Sequence, residues 1–164
     1  MTPSLRWNDL HVGQTFHSPS RTITEADVIA FAGLTGDYSE LHTSAAFAAK
    51  TEFGQRVAHG LLGLAYAHGL MWPRTGELRD CAVAFLGITD WSFRKPIFLG
   101  DTIHVHYTIS NLRISQSNPR HGIVTFQVKV HNQYDDTLQE GTKVLLCSTD
   151  IVGPMADDSR EQHE

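Results

Sequence analysis

Apolar and polar positions follow two different periods along this chain, and the change from one to the other predicts its architecture. In the second half, Ile103, Val105, Tyr107 and Ile109 alternate with His104, His106 and Thr108, and Val124, Phe126, Val128 and Val130 alternate with Thr125, Gln127 and Lys129. That period of two marks long strands with one buried face. Residues 82–86, 91–93 and 143–151 complete an antiparallel set, with turns at Gly100 and Asp101, at 118–122, and at Asp135 and Asp136. In the first half the spacing is helical. Thr24 is an N-cap, Glu25 and Asp27 lie in the first turn with Asp27 at the capping-box position, Val28, Phe31, Ala32 and Leu34 form one face, and Gly36 stops the helix. Ser44 caps a second, short helix built on Ala45, Ala46, Ala48 and Ala49. Residues 37–43 between them show no period. A third helix opens near His59 and runs through Leu61, Leu62, Leu64, Ala65, Tyr66 and Leu70 to Met71, before Pro73. It has almost no polar face, which predicts burial on most sides. Gly60, Gly63 and Gly69 within it predict close approach by other backbone. Around Pro19, residues 13–17 and 21–23 read as an irregular strand or hairpin. Helices early and strands late give an α+β domain, a sheet wrapped around the third helix.

Composition narrows the function classes. The chain has 164 residues, 41% hydrophobic, which suits one domain over residues 1–153 with an acidic, flexible tail over 154–164. A net charge of -5 and a pI near 6.0 leave no basic field for a nucleic-acid backbone. The most apolar window, 57–72, is shorter than a membrane span and contains His59 and His68. No basic and then apolar leader opens the chain, so the expected location is the cytoplasm. Cys81 and Cys147 are too few and too distant in sequence for a disulfide framework or a zinc knuckle, and Cys147 reads as an inert buried thiol. Ten histidines call for a metal test. His104 and His106 share one face of a strand, but a third ligand there has no clear candidate except His131. A polar outer face explains the pair equally well, and no metal is expected.

Asp37 and His42 are an acid and a histidine a few residues apart, outside any periodic element and close to the apolar helix. On one continuous helix they would lie about 140° apart. Gly36 breaks the helix, so both side chains are free to turn into one cavity, as acid–base work on a single water requires. A solvated loop with a turn-forming aspartate is the other reading of the same spacing.

A longer pattern weighs between the two. Gly36-Asp37-Tyr38-Ser39-Glu40-Leu41-His42, then Phe53-Gly54, then Val57-Ala58-His59-Gly60-Leu61 resembles the signature of the MaoC-like hydratases and dehydratases, best known as R-specific enoyl-CoA hydratases. Phe93-Arg94-Lys95-Pro96-Ile97-Phe98-Leu99-Gly100-Asp101 is similar to that family's strand and turn after the central helix. The resemblance implies a single hotdog fold and reversible hydration of trans-2-enoyl-CoA to (R)-3-hydroxyacyl-CoA. It places Asp37 and His42 on the catalytic pair and the backbone N–H of Gly60 at the thioester oxygen. It also implies a homodimer or higher homo-oligomer, with an acyl-CoA substrate whose coenzyme A is the only cofactor involved. A helix N-terminus suits a developing enolate, and glycine leaves room for the thioester.

The chain departs from the family at Ser39 and Glu40, where asparagine and proline are usual, at Ser44, where aspartate is common, and at His68, where small polar residues are common. Glu40 would raise the Asp37 pKa if the two carboxylates were close and poorly solvated. Ser39, His59 and His68 are candidate substrate contacts; His59 is otherwise a core histidine orienting the loop, and His68 is otherwise packing. Trp72, Phe85, Trp91 and Phe93 are candidates to line an acyl tunnel, and Arg74 and Arg79 to pair with a substrate carboxylate. Two other functions compete. A hotdog thioesterase needs a carboxylate on or near the central helix, and residues 57–71 contain none. A non-catalytic acyl-thioester binding module fits the changes at Ser39 and Glu40 but not the presence of Asp37, His42 and Gly60 together.

Overall fold

The computed structural model describes residues 4–71 and 78–149. After a 3-10 turn at Trp7–Asp9, the elements are β1 (Thr15–His17), β2 (Arg21–Thr22), α1 (Glu25–Thr35), α2 (Glu40–Thr43), α3 (Ala45–Ala48), α4 (Gly60–Met71), β3 (Ala82–Phe93), β4 (Thr102–Ile114), β5 (His121–His131) and β6 (Thr137–Ser148). The strands form one antiparallel sheet in the order β1-β4-β5-β6-β3, with β2 also beside β4. Ile103, Val105, Tyr107 and Ile109 of β4 and Val124, Phe126, Val128 and Val130 of β5 are buried, and they share one core with Leu62, Ala67 and Met71 of α4. The period of two therefore does its expected work: one face of the sheet packs on α4 and the histidine face points outward.

The helix signals hold as well. Asp27 N–H donates to Thr24 Oγ1 at 3.3 Å and Thr24 N–H to Asp27 Oδ2 at 2.8 Å, closing the capping box. Gly36 ends α1 with φ 79°, its N–H donating to Ala32 O.

Several expectations need correction. Residues 37–43 contain a helical turn, α2, because the backbone carbonyl of Ser39 accepts from the N–H groups of both His42 and Thr43. Residues 15–22 form no hairpin: β1 and β2 both pair with β4. The pieces at 82–86 and 91–93 are one strand, because register shifts absorb Gly87 and the left-handed Asp90 (φ 54°) without ending the ladder. β6 starts at Thr137, earlier than expected, while Asp150, Ile151 and the acidic segment lie outside the described residues. Leu34 belongs to no core face; it is 82% exposed. α4 is covered on most sides, as expected, and open along one strip: Leu61 is 60% exposed and an added Cβ at Gly69 would meet nothing within 4 Å. At Gly60 and Gly63 the close neighbours are side chains, not backbone: Phe93 for the first, Gln139 and Ile97 for the second. Cys81 and Cys147, distant in sequence, are neighbours across β3 and β6 and share a hydrogen bond.

Candidate active site

Three short segments converge at the N-terminus of α4. The first leaves α1 through Gly36 and presents Asp37, whose side chain is 53% exposed and whose Oδ1 accepts the N–H of Ser39 at 3.2 Å. The second is α2, which carries His42. The third, residues 57–59, is held to the sheet side by a bridge between Val57 and Phe98 and by Ala58 N–H donating to Ile97 O at 2.8 Å.

This third segment organises the other two. His42 Nδ1 donates to the carbonyl of Val57 at 2.8 Å. A carbonyl only accepts, so that bond fixes the tautomer and leaves Nε2 with its lone pair. His59, 2% exposed, donates from Nε2 to the backbone carbonyl of Asp37 at 2.9 Å, with Asp37 Oδ2 4.0 Å away. The ring of His59 lies against that of His42 at 3.8 Å between centroids and against Phe31 at 5.1 Å. Its Nδ1 is buried with no hydrogen-bond partner among the described residues. One ligand atom from each of Asp37, His42 and His59 lies within 4.8 Å of the others, so these are the residues here that could hold either one water or a metal ion.

Gly60 begins α4, and its N–H donates no hydrogen bond among the described residues. An unpaired N–H at the positive end of a 12-residue helix favours negative charge. An open cleft of about 350 Å³ reaches it, lined by His42, Gly60, Phe93, Pro96, Ile97 and Gln139 among others. That volume lies within the range of small-molecule sites. A Cβ at Gly60 would stand 2.9 Å from the Phe93 ring. An alanine there would push the half-exposed Phe93 ring aside, a constraint additional to the room for a thioester that the sequence suggests.

A sequence profile described as the MaoC like domain matches residues 8–132. The chain belongs to the MaoC-like dehydratase family. It is 37% identical over 116 residues to the 3-hydroxybutyryl-CoA dehydratase of Methylorubrum extorquens, covering 68% of this chain and 70% of that one. It is 35% identical over 104 residues to the (R)-specific enoyl-CoA hydratase of Aeromonas caviae, covering 63% and 74%. Among solved structures, the MaoC-like dehydratase of Rhodospirillum rubrum superposes with a TM-score of 0.79 at 28% identity, over 88% of this chain and 97% of that one. A conserved hypothetical protein of Mycobacterium tuberculosis with a double hotdog fold gives 0.77 at 19% identity, over 92% of this chain and 46% of that one. The α+β hotdog architecture expected from the sequence is therefore the one observed.

Within this MaoC-like domain the remaining candidates separate. Ser39 makes no side-chain capping bond and holds the loop through its backbone. Glu40 is exposed in the first turn of α2. His68 is not among the residues lining the cleft; it packs edge-on against Phe85 at 5.0 Å, and burial, followed by the charge of Lys143, lowers its pKa. Burial likewise brings Lys143 down to about 8. Arg79 is exposed and paired with Asp80, while Trp72 and Arg74 lie outside the described residues. Sequence reasoning missed Gln139. It is 1% exposed, donates from Nε2 to Gly60 O at 3.0 Å and accepts from Trp91 Nε1 at 3.2 Å, so it steadies the first turn of α4. Its only signal is a polar residue at an inward position of a strand.

Proposed function

We propose that the protein is a hydro-lyase that reversibly adds water to trans-2-enoyl-CoA thioesters, giving (R)-3-hydroxyacyl-CoA. The observation that carries the reading is the meeting of Asp37 and His42, which offer ligand atoms within 4.8 Å of each other, at the end of α4 where His42 and Gly60 line one cleft. Asp37 takes a proton from water held between it and His42 while the water oxygen bonds to C3. Negative charge moves to the thioester oxygen, and the Gly60 N–H donates a hydrogen bond to that enolate oxygen. The Asp37 and His42 pair returns a proton to C2 from the same face, giving syn addition. His59 acts on position, fixing the backbone of Asp37. The reaction needs no cofactor beyond the coenzyme A of the substrate. Names of the relatives support the chemistry, since those proteins are a 3-hydroxybutyryl-CoA dehydratase and an (R)-specific enoyl-CoA hydratase.

Crotonyl-CoA tests this directly. Loss of enoyl absorbance without release of free thiol is expected, whereas thiol release would mark a thioesterase and inertness a binding module. Asp37→Asn and His42→Ala each lower kcat by at least about 100-fold, since a positioned acid or base contributes about 10² to 10⁴. Either variant turning over normally while folded refutes the assignment. Chiral analysis gives the R product, and the S product rejects the mechanism as written.

The assembly proposed with this function is a homodimer joined along β3. Its outer edge has no strand partner among the described residues, and Val83, Phe85, Leu86 and Phe93 along it are each more than two-fifths exposed. A long apolar edge strand is an association surface unless covered.

A further inference from the structure

The outward face of the sheet gathers four histidines that the proposed hydration does not use. His104 and His106 stand two apart on β4, His131 pairs with His104 from β5, and His17 pairs with His106 from β1. Their neighbours Ile103, Val105 and Tyr107 fill the core, so all four rings share the opposite side. We propose that this face binds one divalent transition-metal ion of the zinc class through His104, His106 and His131, with His17 beside them as a fourth donor.

Geometry carries the proposal. Zinc–nitrogen bonds of about 2.0–2.1 Å at tetrahedral angles place the centroids of ligating imidazoles about 5.2 Å apart. Here the centroid separations are 5.0 Å for His104 and His106, 5.6 Å for His104 and His131, and 4.7 Å for His106 and His131. His17 sits 4.2 Å from His106. A second, independent feature is the support around the rings. His131 Nδ1 donates to the carbonyl of Asp135 at 3.2 Å, which leaves the lone pair on Nε2. Asp135 has φ 63°, a conformation uncommon for a non-glycine residue, and its Oδ1 lies 3.7 Å from His104 Nε2. A backbone carbonyl on one ligand and a carboxylate near another are the outer-shell partners that metal-binding histidines ordinarily have. Lys129 stands opposite His106 in the register of β4 and β5. Among the described residues only Asp37, His42 and His59 have ligand atoms already within 4.8 Å of one another, so binding at the outer triplet would require its rings to rotate toward one another. The bound ion would tie the short edge strand β1 to β4 and β5.

The test is equilibrium dialysis of tag-free, metal-stripped protein against Zn²⁺, with Co²⁺ absorption reporting the donor set. One tightly bound equivalent is expected. The double variant His104→Gln/His131→Gln and the single variant His106→Gln should each weaken it by at least about 100-fold and Asp135→Asn by about 10-fold, since outer-shell changes alone cost about 10- to 100-fold. Crotonyl-CoA turnover and far-ultraviolet circular dichroism should stay at wild-type levels in all three. An Asp37→Asn/His42→Ala variant should keep the ion. Absence of binding to wild type at micromolar free ion, unchanged binding in the folded histidine variants, or loss of the ion only in the Asp37 and His42 variant would overturn the proposal.

Discussion

Gly63 and Gly69 lie on the same helix, yet alanine should act in opposite directions at the two. Gly63 is buried, and a Cβ there would collide with Gln139 Nε2 and Ile97 Cδ1. Overpacking of this kind costs about 1–3 kcal/mol. If Gln139 yields, its bonds to Gly60 O and from Trp91 Nε1 go too, at about 0.5–1.5 kcal/mol each. Against this stands the gain from removing a helical glycine, about 0.8–1.0 kcal/mol. The net for Gly63→Ala is a loss of about 1–5 kcal/mol, centred near 3. At about 2–4 °C per kcal/mol for a chain of this size, Tm falls by roughly 6–12 °C. At Gly69 nothing lies within 4 Å of the added Cβ, so only the gain remains and Tm rises by about 2–4 °C. Calorimetry at one fixed protein concentration measures both, since association would otherwise shift Tm. A Gly63→Ala variant as stable as wild type would show that Gln139 and Ile97 do not hold the helix, and a Gly69→Ala loss would refute the open space beside it.

Two further outcomes follow from other parts of the fold. Asp27 is partly buried, which by itself raises its pKa, but hydrogen bonds from Tyr66, Thr24 and Arg21 outweigh that and hold the carboxyl well below the usual range. Its stabilisation is therefore complete above the unfolded pKa near 4 and is lost as pH falls toward the folded value; Asp27→Asn should cost about 1.5–3 kcal/mol at pH 7, and urea titrations showing the same deficit at the lowest accessible pH would contradict this. Sedimentation equilibrium should give a particle of twice 18.2 kDa, and Val83→Glu/Leu86→Glu should dissociate it; an active wild-type monomer would end the dimer proposal.

What the sequence made legible is what local chemistry determines. Thr24, Asp27 and Gly36 write a helix start and stop because capping and a left-handed turn depend on residues a few positions apart. The strands β4 and β5 were readable because one face is core and the other is not. Asp37 and His42 were visible as a pair only because Gly36 releases them from a common helix, and the family resemblance then favoured chemistry over a turn. The contacts that fix them were hidden. Val57 O receives His42 and Asp37 O receives His59, and a carbonyl is the same group at every residue, so no side-chain identity announces it. Gln139 was hidden for another reason: it lies 79 residues from Gly60. The continuity of β3 was obscured because Gly87 and Asp90 read as ends, whereas bulges accommodate both. The open side of α4 escaped because an apolar pattern does not say whether it meets its own chain or another.

Phe93 links that open surface to the candidate chemistry. It is the last residue of β3, the strand whose free edge is the proposed dimer seam, and it is 55% exposed. Its ring also stands over Gly60, close enough that a Cβ there would displace it, and it lines the cleft beside His42. Covering the β3 edge would therefore bury a wall of the cleft and remove water from the region where the thioester oxygen takes on charge. A hydrogen bond from the Gly60 N–H is worth more in such a setting than in open solvent, because the effective dielectric falls. In the proposed dimer, catalysis and assembly would be coupled at one side chain, and dissociation would lower turnover without disturbing Asp37, His42 or the backbone carbonyls that hold them.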